Sequence, residues 1–140
     1  MLSDAIISAF KKKEERKWER LYWMIDVHDT MFPGEYREGQ GYSLGPEAVE
    51  VLQWLSNRPD MWTILWTSSY PAEYFKVTSW LWDEYGIDIN FFNENPDCKN
   101  TDLADFSKKP YFNIILDDKA GFMPSDWKVI KDTLIKLGEW

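Results

Sequence analysis

The chain has 140 residues, 44% of them hydrophobic and 29% charged, with only 7 Gly and 7 Pro. That composition fits one folded domain and excludes a disordered or collagen-like chain. A net charge of −8, from 16 Lys+Arg against 24 Asp+Glu, argues against an extended nucleic-acid face but leaves room for a short basic patch around residues 11–20. Residues 1–20 read as a helical extension from about Ser3 to Arg20, with Ser3 as its cap and Ile6, Phe10 and Trp18 as apolar positions. It lies against the domain edge as a solvated helix or serves as a basic docking arm. Residues 21–140 read as a single α/β domain. Leu21 to Ile25 is a short apolar run ending at Asp26, and Pro46 opens a helix reaching Asn57. Met61 to Trp66 is a second strand ending in Thr67-Ser68-Ser69. Pro71 opens a helix that Gly86 stops after Tyr85. Ile87 to Phe92 and Tyr111 to Leu116 are the third and fourth strands, the fourth ending in Asp117-Asp118. Ser125 caps a last helix carrying Trp127, Ile130, Leu134 and Leu137.

Strands separated by helices predict a Rossmann-like parallel sheet of about four strands with helices on both faces. Right-handed crossovers bring every strand C-terminus to one edge, where open α/β sheets bind ligands. Asp26, His28, Asp29, Thr67, Ser68, Asp117 and Asp118 then converge there, with a lysine from Lys108-Lys109. Several carboxylates with little counter-charge call for a cation. An all-oxygen set with no thiol suits Mg²⁺. A carboxylate beside Mg²⁺ can attack phosphorus, while hydroxyls and an ammonium hold the phosphoryl oxygens.

Cys98, the only cysteine, excludes an intrachain disulfide or a cysteine zinc cage and predicts a reducing, cytoplasmic setting. The longest uncharged run, Met61 to Ala72, is too short to cross a bilayer, so no membrane partner is expected. The start of the chain lacks a signal peptide's apolar stretch, since Lys11-Lys12-Lys13 follows too soon. Among the aromatics, Trp54, Trp62, Trp80, Trp82 and Trp127 fall at core or helix-packing positions. Trp66 is placed to wall the site, and Tyr36, Tyr42 and Tyr70 either stack on a substrate ring or pack the loops.

In order and spacing the strand-end groups resemble the haloacid-dehalogenase-like superfamily, mostly phosphatases. Leu21 to Thr30 is similar to its first motif, Asp-x-Asp-x-Thr at a strand end. Ile64 to Ser68 is similar to the second, and Lys109 to Ala120 to the third and fourth. The resemblance implies Asp26 as nucleophile and Mg²⁺ ligand, and Thr67 and Ser68 as phosphate-binding hydroxyls. It implies Lys109, in preference to Lys108, as the balancing cation. Asp117, Asp118 and the main-chain carbonyl of His28 would be the remaining metal ligands. The departure is His28, where the phosphatases usually carry a second Asp that protonates the leaving group and then activates water. Imidazole, with an ordinary pKa of about 6.5, suits the same work near neutral pH, and Asp29 is a fallback. Three readings stay open: a phosphohydrolase with an imidazole acid–base, a weakened or non-catalytic member that binds phosphate or a partner, or a member that keeps the metal and Asp26 for other superfamily chemistry such as phosphoryl transfer between substrates.

The stretches between Asp26 and Thr67 and between Thr67 and Lys109 are too short for an inserted cap. The chain therefore resembles the capless branch. An open site of that kind suits a phosphate on a macromolecule, or a small phosphorylated substrate closed in by loops or by a second subunit of a homo-oligomer.

Overall fold

The computed structural model describes residues 1–32, 42–96, 99–107 and 109–140. Pro33, Gly34, Tyr36, Gly39, Gly41, Cys98 and Lys108 lie outside them. The elements in chain order are α1 (Leu2–Glu15), β1 (Leu21–Ile25), α2 (Pro46–Asn57), β2 (Met61–Leu65), α3 (Pro71–Tyr85), β3 (Phe91–Phe92), β4 (Ile114–Leu116) and α4 (Asp126–Lys136). A 3₁₀ turn, Asp118–Ala120, lies between β4 and α4. The strands form one parallel sheet in the order β3-β2-β1-β4. Among the described residues, no helix is long and apolar enough to cross a membrane.

Pro46 and Pro71 stand in the first turns of α2 and α3, where a missing N–H costs nothing. Gly86 ends α3 in the left-handed region, at φ 65°, which its lack of a Cβ permits. Of the two expected serine caps, the position of one is kept. Ser3 lies inside α1, whose N-cap is Met1, and Ser125 sits at the N-cap of α4 without a side-chain cap bond. At α4 it is the Asp126 carboxylate that accepts the Met123 N–H, at 2.9 Å.

β3 and β4 are shorter than the apolar runs that contain them, because asparagine side chains replace part of the ladder. Asn90 Oδ1 accepts the Thr63 N–H at 2.8 Å, and Asn113 Oδ1 accepts the Tyr22 N–H at 2.7 Å. Ile87 and Ile89 are nonetheless buried, so the segment is extended and packed without being laddered.

Leu21, Trp23 and Ile25 share one sheet face with Met61, Leu65, Ile114 and Leu116, as the register requires. That face and all four helices build one core. Its members include Ile6, Ala9 and Phe10 of α1, Val51 and Leu55 of α2, Val77 and Leu81 of α3, and Trp127, Ile130 and Leu134 of α4. Helices on both faces were expected, and this is where the structure departs from the sequence reading. The crossovers β1–α2–β2 and β2–α3–β3 step the same way along the sheet, so right-handedness puts both helices on one side. The opposite face carries an aromatic layer instead. Tyr22 meets Trp62 and Tyr111 edge-on, at 6.1 and 5.5 Å between centroids. Trp62 packs on Phe91 at 5.2 Å, and Tyr111 meets Phe106 at 5.4 Å.

Candidate metal and phosphate site at the strand ends

The chain runs from β1 to β2 to β3 in one direction and returns to place β4 on the other side of β1. The strand order therefore reverses between β1 and β4, and a crevice opens beyond their C-termini. Ile25 is paired with Leu116, so the next residues, Asp26 and Asp117, leave the sheet side by side. The ladder carries on one step further, with Asp26 N–H donating to Leu116 O and Trp66 N–H to Ile25 O, both at 2.9 Å.

Asp26, Asp117 and Asp118 bring carboxylate oxygens within 4.8 Å of one another, each side chain half-buried. Burial is the main reason the Asp26 carboxyl is pushed up from 3.8 to about 6. The Val27 N–H opposes that rise, while the charges of Asp117 and Asp118 and a hydrogen bond shared with Asp118 add to it. Thr30, 0% exposed, ties the cluster together. Its hydroxyl donates to Asp26 Oδ2 at 3.3 Å and accepts the Asp118 N–H at 3.1 Å. Its carbonyl accepts the Trp127 indole N–H at 3.0 Å, which fixes the loop to α4. Asp117 Oδ1 accepts the Lys119 N–H at 2.9 Å and so caps the 3₁₀ turn.

The facing wall comes from the ends of β1 and β2. Thr67 Oγ1 accepts the Ser69 N–H at 3.1 Å, which keeps the hydroxyl's own proton for an outside acceptor. Thr67 does not cap α3, whose N-cap is Tyr70. His28 Nε2 and Ser69 Oγ are 3.1 Å apart and share a hydrogen bond. Asp29 is exposed and left-handed at φ 60°, a conformation that Asp tolerates better than most residues. Asn93 Oδ1 receives the Thr67 N–H at 2.8 Å, while its own N–H donates to Leu65 O at 2.8 Å.

Between the walls lies a cleft of about 470 Å³, bordered by Asp26, His28, Asp29, Thr67, Ser68, Asp117 and Asp118. Trp66, Asn93 and Lys119 complete its described lining. Lys109 is exposed in the segment before β4 and is not part of that lining. The sequence reading assigned no role to Thr30, Asn93 or Lys119. Thr30 could have been found as the closing residue of the Asp26-to-Thr30 segment, and Lys119 as the neighbour of Asp117-Asp118. Asn93 has no signal beyond its position after an apolar strand.

The aromatic expectations divide. Trp127 is buried, Trp54, Trp62 and Trp80 are half-buried, but Trp82 is 60% exposed. Tyr42 stacks on Phe32 at 5.1 Å and donates to Glu73 at 2.8 Å, which is loop packing. Tyr70 is 85% exposed.

An all-oxygen set of three crowded carboxylates, one with its ionised form disfavoured by burial, suits a hard divalent cation with room for water. Asp26, Asp117 and Asp118 are the residues that would hold it.

No protein-family model matches the chain, and no curated protein matches it. Among solved structures, the chain is similar to a conserved protein coded by a locus from Bacteroides thetaiotaomicron. The two are 23% identical with a TM-score of 0.62, over 86% of this chain and 93% of that one. A likeness at that identity bears on the fold alone.

Proposed function

We propose that this chain is a Mg²⁺-dependent phosphohydrolase of the capless haloacid-dehalogenase-like type, acting on a phosphomonoester. The supporting observation is the trio Asp26, Asp117 and Asp118, within 4.8 Å at adjacent strand ends and sharing one cleft with Thr67 and Ser68. Mg²⁺ held by the trio would keep Asp26 ionised and offset the charge of the phosphoryl oxygens. Thr30 donates to Asp26 Oδ2, which helps to orient the carboxylate that would meet phosphorus. In the first step Asp26 bonds to phosphorus, the ester P–O bond breaks, and the leaving oxygen takes a proton from His28. In the second, His28 takes a proton from water as its oxygen bonds to phosphorus. The bond to Asp26 then breaks, releasing inorganic phosphate. Thr67 and Ser68 donate to the phosphoryl oxygens through both steps. Lys119, which borders the cleft, would balance their charge. A reducing, cytoplasmic setting goes with this reading, since Cys98 is the only cysteine.

The test is hydrolysis of p-nitrophenyl phosphate with and without Mg²⁺. Wild type turns over only with the metal, and Asp26→Asn loses at least a thousandfold in kcat. Comparable activity in Asp26→Asn sinks the nucleophile assignment.

A second reading, phosphate or partner binding without turnover, draws on two observations. Lys109 stands outside the cleft lining, and His28 Nε2 is engaged with Ser69. It expects Mg²⁺ and phosphate to bind with no hydrolysis of any phosphomonoester offered.

A further inference from the structure

At the other end of β1 the chain builds a pocket of opposite character. The five residues of β1 separate it from Asp26, about 16 Å at the usual rise of a strand. The chain leaves α1 through Lys17, held left-handed at φ 57°, and this turn carries Lys17 and Trp18 to the mouth of the pocket. Arg20 and Tyr22 come from the start of β1, and Lys99 and Tyr111 from the segment before β4. Together with Glu19 they line a hollow of about 520 Å³, within the range of small-molecule sites.

In the described lining, three cations accompany one carboxylate, in a chain of net charge −8. Among the described residues, Lys17, Arg20 and Lys99 make no ion pair, as is also true of Lys12, Arg16, Lys76, Lys109, Lys119 and Lys136; what sets the three apart is that one hollow gathers them. Complementing the helix dipole at the end of α1 accounts for Lys12 and Lys13 in its last turn. It does not account for Arg20 and Lys99, which other segments bring in. The cations are interleaved with rings. The Arg20 guanidinium lies over Trp62 at 3.9 Å, and Arg16 lies over Trp18 at 5.5 Å. The Tyr22–Tyr111 pair, at 5.5 Å between centroids, joins the pocket to the aromatic layer of the helix-free face.

An inorganic anion would use the cations and leave the rings idle; a neutral aromatic would do the reverse. A ligand that joins a planar ring to phosphate uses both, with Glu19 available to accept from an amino or hydroxyl group. A long polyanion is disfavoured by the negative charge of the whole molecule. We infer that the pocket of Lys17, Trp18, Arg20, Tyr22, Lys99 and Tyr111 binds a free nucleoside phosphate, independently of the acidic cleft and of any metal in it.

The test is isothermal titration with ADP, adenosine, inorganic phosphate and a short single-stranded oligonucleotide, all in EDTA so that the acidic cleft stays silent. ADP is expected to bind at least tenfold more tightly than adenosine or phosphate. Lys17→Gln combined with Lys99→Gln changes two exposed side chains and is expected to weaken ADP at least tenfold. Lys12→Gln combined with Lys76→Gln, which removes equal charge elsewhere, should leave ADP binding unchanged. The inference is overturned if ADP gives no binding, if phosphate matches ADP, if both double variants weaken it equally, or if only the oligonucleotide binds.

Discussion

Burial, more than its acidic neighbours, lifts the Asp26 carboxyl to about 6. In the metal-free protein that lift has a thermodynamic sign. Between pH 4 and 6 or so the native state binds more protons than the unfolded chain, so the unfolding free energy falls as pH rises through that window. Solvent screening of a half-exposed group reduces the effect to on the order of 1 kcal/mol. Urea midpoints in EDTA at pH 4.5 and pH 7 are expected to show wild type losing stability between the two relative to Asp26→Asn. Saturating Mg²⁺ should close the gap by favouring the ionised form. An equal pH response in the two proteins would show that the carboxylates do not burden the fold. The pairing of Arg58 with Asp60 acts in the other direction. It holds that carboxyl below its ordinary value, so its contribution is lost only in more acid solution.

The elements were legible where a residue has a single conformational use. Pro46, Pro71 and Gly86 set helix ends that the structure keeps. The acidic trio was equally legible, because apolar runs that break into carboxylates mark strand ends. Hydrogen bonds that cross between segments were not. Hydrophobic alternation reports burial, and Ile87 and Ile89 are buried as expected, yet Asn90 supplies the bond that a ladder would have made. Asn113 does the same for β4, its Oδ1 accepting from Tyr22 and its own N–H donating to Tyr22 O at 2.9 Å. Which lysine borders the cleft was hidden for a related reason. It depends on the turn after Asp118, which Asp117 caps and Gly121 closes at φ 95°. Since Asn113 anchors the strand that carries Asp117, Asn113→Ala leaves the Tyr22 N–H without its acceptor at the start of β4. The expected cost is about 1–2 kcal/mol in urea unfolding. A change within error would mean that water replaces the side chain at no cost.

At the scale of the molecule, the one-sided placement of helices sets where the N-terminal segment packs. With α2, α3 and α4 all on the Trp23 face, α1 closes the same layer. Ile6 is 0% exposed, and Phe10 packs on Trp54 at 6.5 Å. Trp54 in turn meets Trp23 edge-on and stacks on Trp140, so the first helix and the last residue share one aromatic stack. The charged residues of α1 remain exposed for the most part, while Ile6, Ala9 and Phe10 are taken up by the domain's own core. A helix docked in this way unfolds with the sheet. Ile6→Ala is therefore expected to cost about 2–5 kcal/mol, as for a core aliphatic. Far-UV circular dichroism and tryptophan emission should trace one coincident urea transition in both proteins. A variant whose tryptophan transition stays at the wild-type midpoint while helical signal is lost early would mean that α1 is an appendage, and that the core proper begins at β1.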